Sequence, residues 1–114
     1  MHLTKPRTAL GALAVVALAA ASIMGGVAFA QPGDASVTIQ NFDFHPMAVT
    51  VPVGATVTWK NLDGEPHTVT STDGSFRSEA LDEDDSYSHT FTKPGVYKYL
   101  CTIHPKMVAM VTVK

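Results

Sequence analysis

The chain has 114 residues, 46% hydrophobic and 16% charged, with a formal net charge of −2. That leaves room for one small domain, and its scattered basic residues exclude a nucleic-acid surface. A single cysteine, Cys101, excludes an internal disulfide; it is a bridge to another chain, a core residue or a thiol kept for chemistry.

Residues 1–30 read as an export signal. His2, Lys5 and Arg7 give a basic start, an Ala/Leu/Val run covers 9–21, and Ala28-Phe29-Ala30 fits a small-x-small cleavage site. Cleavage is expected after Ala30. The uncharged stretch 8–30 could also cross a bilayer if it were kept, but the Gly25-Gly26 break and the Ala-Phe-Ala-Gln junction favour its removal, with no membrane insertion afterwards. The remainder, 31–114, carries six basic and ten acidic side chains, a further argument against nucleic acid.

From Ser36 onward the pattern is alternation broken by turn residues. Strands are predicted over 36–41, with Val37, Ile39 and the adjoining Phe42, and over 48–51. Pro52-Val53-Gly54 turns into a strand at 55–61, with Val57 and Trp59 on one face. A short strand at 67–71 precedes an irregular acidic stretch that begins at Asp73-Gly74 and ends at Asp85. Strands at 86–92 (Tyr87, His89 and Phe91 on one face), 96–101 and 108–113 complete the chain. About seven short strands at this spacing predict an all-β domain, a Greek-key β-sandwich.

The chemistry is concentrated in Cys101-Thr102-Ile103-His104-Pro105-Lys106-Met107. A thiolate, an imidazole and a thioether stand at three-residue steps where one strand must loop back to the next. His67, in Glu65-Pro66-His67-Thr68-Val69, supplies a second imidazole at the head of another strand. Two imidazoles, a thiolate and a weak thioether form the blue-copper donor set. Thiolate and thioether suit Cu(I) and imidazole suits both states, so an ion held there changes oxidation state with little movement. Met110, three residues beyond Met107, is a rival thioether, and methionine also fills core gaps. His45 reads as an exposed loop histidine and His89 as a packed or partly exposed one.

Val49–Trp59 (VTVPVGATVTW), the Pro66-His67-Thr68-Val69 strand head and Phe91–Met107 (FTKPGVYKYLCTIHPKM) resemble a cupredoxin. The Cys-x-x-His-x-x-Met spacing is similar to amicyanin; plastocyanin and pseudoazurin place the methionine farther along. The resemblance implies one type 1 copper ion, with His67, Cys101 and His104 as equatorial ligands and Met107 as the axial one. It also implies electron exchange through His104 within an apolar patch that includes Pro105. Two positions depart from the pattern. Thr68 stands where the family commonly has an asparagine whose side chain ties the ligand loops together, and it offers shorter reach and one hydroxyl. Ile103 replaces a proline, so a looser loop is expected. The domain is also shorter than amicyanin and is expected to lack its N-terminal strand.

The resemblance predicts an exported, periplasmic or extracellular monomer that carries single electrons between transient redox partners. The acidic run Glu79, Asp82, Glu83, Asp84 and Asp85 is a solvated loop or a docking site for a basic partner. The alternative is a protein that buffers or delivers copper, with His45, Met47 and Met110 as an extra surface site. An enzyme is not expected, because Cys101 with two histidines and a methionine suits a metal better than nucleophilic catalysis. Zinc is a weaker match to a thioether.

Overall fold

A computed structural model describes residues 32–114; the expected signal segment and its cleavage site lie outside them. Eight strands form two four-stranded sheets: β1 (Ala35–Gln40), β2 (Asp43–His45), β3 (Ala48–Val51), β4 (Thr56–Asn61), β5 (Thr70–Ser71), β6 (Ser86–Thr90), β7 (Gly95–Leu100) and β8 (Val108–Val113). One sheet runs β2-β1-β4-β6 and the other β3-β8-β7-β5. Because each of β3, β4, β5, β6 and β7 leaves the sheet of the strand before it, the chain repeatedly crosses the sandwich, as the Greek-key reading requires. The pairs β1/β4 and β3/β8 are parallel, aligning Val37 with Trp59 and Val51 with Val113.

Alternation decides the core. Val37 and Ile39 of β1, and Val57 and Trp59 of β4, face inward, as do Tyr99 of β7 and Val111 and Val113 of β8. Each fully buried aliphatic or aromatic side chain contributes roughly 1.5–3 kcal/mol. Phe44 packs edge-on against Tyr99, with ring centroids 4.8 Å apart, and Tyr99 packs likewise on Trp59 at 5.4 Å. Burial pushes the Tyr99 phenol up to about 12, so it stays neutral inside the sandwich.

Four expectations need correction. The strand count is eight, because Asp43–His45 pairs with β1 as a hairpin. His45 therefore ends a strand instead of lying in a loop, though it is exposed as expected. Phe42 is not part of the first strand: Asn41 and Phe42 form the two-residue turn, with φ of 56° and 58°. That is the backbone of a type I′ turn, which matches the twist of a hairpin. Finally, only Thr70–Ser71 of the predicted 67–71 strand pairs within a sheet, while His67 bridges to Leu81 instead.

Candidate metal centre

The site is assembled at one end of the sandwich from two loops. The first leaves β4 at Asn61, whose fully buried side chain organises it. Asn61 Nδ2 donates to the carbonyls of Glu65 and Leu81, both at 2.9 Å, and its Oδ1 accepts the Asp63 amide at 2.9 Å. A buried amide satisfied in this way fixes the backbone that carries it. His67 follows, fully buried, with backbone bonds to Leu81 in both directions (3.1 and 2.7 Å).

The second loop joins β7 to β8. The Cys101 amide donates to the Met107 carbonyl at 3.1 Å, and the Met107 amide donates to the His104 carbonyl at 2.9 Å. These two bonds close the loop on itself and turn Cys101 and Met107 inward, where both are buried. Met110 is exposed on the outer face of its sheet, level with Lys98 on β7.

The loops are tied by Thr68. Its Oγ1 accepts the Thr102 amide at 2.8 Å and lies 2.8 Å from Thr102 Oγ1, while the Thr68 amide donates to Cys101 Sγ at 3.3 Å. Threonine's short reach is enough because the partner is the residue next to Cys101.

Cys101 Sγ lies 3.7 Å from His67 Nδ1 and 3.7 Å from His104 Nδ1. Among the described residues, these three donor atoms form a group within 4.8 Å of one another that could hold a metal ion. The separation suits that use: metal–nitrogen and metal–sulfur bonds of about 2.0–2.3 Å, spread trigonally, put N and S about 3.7 Å apart. The donor chemistry fits too, since a buried cysteine sulfur with two imidazole nitrogens selects a soft-to-intermediate ion.

Sequence reasoning missed Asp63. Its Oδ2 accepts from His67 Nε2 at 2.8 Å and from the Phe42 amide at 2.9 Å, and its Oδ1 accepts the Asn41 amide at 2.7 Å. Burial pushes this carboxyl up, but the Phe42 and Asn41 amides and His67 outweigh it and hold the group below its usual range. Phe42 was missed as well: its ring meets His67 and His104 edge-on, with centroids 5.3 and 5.0 Å away. An aspartate four residues before the histidine was the one available signal. His104 is half-buried and shares a surface depression with Phe42, Ile103 and Pro105.

The other flagged histidines lie apart from this cluster. His45 Nε2 is 3.0 Å from the Gln40 carbonyl. Met47 and Met110 share a groove on the outer sheet face, and His45 does not line it. His89 packs between Phe76 and Phe91, with centroids at 5.0 and 4.7 Å.

The cupredoxin-like domain family matches residues 8–113. The chain is a cupredoxin. It is 37% identical to a purple cupredoxin from Nitrosopumilus maritimus, over 71% of this chain and 100% of that one, with a TM-score of 0.65. It is 31% identical to a reduced tryptophan-to-tyrosine variant of amicyanin, over 74% of this chain and 85% of that one, with a TM-score of 0.68. A copper-containing nitrite reductase from Thermus scotoductus SA-01 is 30% identical over 78% of this cupredoxin, which covers 24% of the reductase chain, with a TM-score of 0.68. No curated protein matches the chain.

Proposed function

We propose that this cupredoxin binds one copper ion and passes single electrons between redox partners. His67, Cys101 and His104 would hold the ion, and Met107 would supply a fourth, weaker thioether donor. The observation that carries the reading is the convergence of two Nδ1 atoms on the buried Cys101 Sγ. Copper would supply the Cu(I)/Cu(II) couple, and the protein's part is to hold the donors still. Three restraints serve that purpose: the Thr68 tie, the Cys101–Met107 loop closure and the Asp63 bond to His67. A donor set that does not rearrange keeps the barrier to electron transfer low.

Met107 is preferred to Met110 because it is buried in the same loop as the other donors, whereas Met110 points outward. His104 is the natural port for electrons. Its ring is half-buried, and exposed Phe42 and Ile103 beside it offer a small apolar surface for brief contact. Small transient interfaces suit a carrier that must release each partner quickly. We place the working protein outside the cytoplasm, as a monomer, after loss of residues 1–30.

Buffering or delivery of copper is the competing role, and the Met47–Met110 groove is the feature that favours it. Two rates separate the roles. A carrier shows rapid electron self-exchange and surrenders copper to a strong chelator slowly. A delivery protein shows the reverse, and that result would remove the carrier reading.

A further inference from the structure

One carboxylate, Asp63, reaches two places that the sequence keeps far apart. It bonds the outer nitrogen of His67 and both amides of the Asn41-Phe42 turn. The turn is costly for this sequence. The second position of a type I′ turn favours glycine, and a bulky residue at φ 58° stores roughly 1–2 kcal/mol of backbone strain. Such strain persists where the surroundings over-determine it. Here they do: the Asp63 carboxylate holds the Phe42 amide, and the Phe42 ring lies edge-on to both His67 and His104. The ring is still 47% exposed, so burial of Phe42 does not explain why an aromatic residue occupies a glycine position.

We propose that Asp63 is a positioning residue that locks His67 and the Phe42 cover together, setting the balance between the two copper oxidation states at the site and screening its imidazole edges. This rests on the copper reading above. The bond between His67 Nε2 and Asp63 Oδ2 fixes the ring so that Nδ1 faces Cys101 Sγ, 3.7 Å away, with its lone pair toward the site. The carboxylate's negative charge, one ring away from the ion, favours Cu(II) over Cu(I). The Phe42 ring, fixed by the shared oxygen, shields the two imidazole edges from water.

The test compares Asp63→Asn, Asp63→Ala, Asp43→Asn and Phe42→Gly in the full chain. Asp43 is an exposed carboxylate beside the same depression and controls for charge alone. In metal-free protein, Asp63→Ala should speed amide exchange at Asn41 and Phe42 at least tenfold and change the nitrogen shifts that report the His67 tautomer. With copper, Asp63→Asn should lower the ratio of Cu(II) to Cu(I) affinity about tenfold, a rise in potential of about 59 mV for one electron. Asp43→Asn should shift it far less. Phe42→Gly should relieve the turn without loss of stability, yet speed copper removal by a chelator severalfold. Unchanged exchange, tautomer and potential in the Asp63 variants would overturn the proposal, as would an equal shift in Asp43→Asn. Should Asp63→Ala fail to fold, the near-isosteric Asp63→Asn still decides it. If the wild-type protein gave no thiolate-to-copper band, the copper reading would fall, while the metal-free measurements would still judge the clamp.

Discussion

Thr68 carries more of the site than its size suggests. Its hydroxyl receives the Thr102 amide and also lies within bonding distance of the hydroxyls of Thr70 and Thr102. Thr68→Val keeps the shape and removes the tie, so the metal-free protein should lose about 1–3 kcal/mol in urea denaturation. Thr68→Ser should recover most of that loss, and a Val variant as stable as wild type would show that the tie is incidental. At this scale the sequence was unevenly legible. Cys101, His104 and Met107 stand out because thiolate, imidazole and thioether are uncommon at short fixed spacing. Asp63 does not, because an aspartate before glycine reads equally well as ordinary turn chemistry. Its role depends on the turn 21 and 22 residues away that it bonds.

Among the elements, β6 illustrates how packing sets a titration. His89 lies on the same side of the strand as Tyr87 and packs on Phe76 and Phe91. Burial holds its imidazole below the ordinary value of 6.5, so the unfolded chain binds this proton more readily than the folded one. The contribution is therefore intact above pH 6.5 and is lost as pH falls from there through the lowered folded value. Metal-free protein should lose stability over that interval, and His89→Gln should flatten the loss; an identical slope in the variant would refute the assignment. Strand alternation was readable for β1, β4, β6 and β8, where every second residue is apolar or packed. The β1–β2 hairpin was hidden because Asn41-Phe42 lacks the glycine that marks a two-residue turn. The short β5 was overextended because nothing local tells that His67 bridges to Leu81 while Thr70 pairs with Leu100.

For the molecule as a whole, charge and site lie close together. Glu79, Asp82, Glu83, Asp84 and Asp85 are exposed on the segment around Leu81, whose backbone brackets His67. An acidic flank near the apolar surface around His104, the proposed point of electron exchange, would steer a basic partner toward productive encounter. Association with such a partner should slow about tenfold between low and high salt. Replacing the five carboxylates with amides should flatten that dependence; a salt-independent wild-type rate would make the run a solvated loop and nothing more. The family was legible from sequence because the ligand loop and the strand heads around it are fixed by the fold. The electrostatic setting of the site was not, since it depends on which loops the sandwich brings to the same end.

Copper ligation by Cys101 underlies the electron-carrier reading, and the visible spectrum of the Cu(II)-loaded chain decides it. An intense thiolate-to-copper band is expected, lost in Cys101→Ser and shifted in Met107→Leu. A pale spectrum, unchanged by Cys101→Ser, would remove Cys101 from the copper site and leave it a core residue of an otherwise ordinary sandwich.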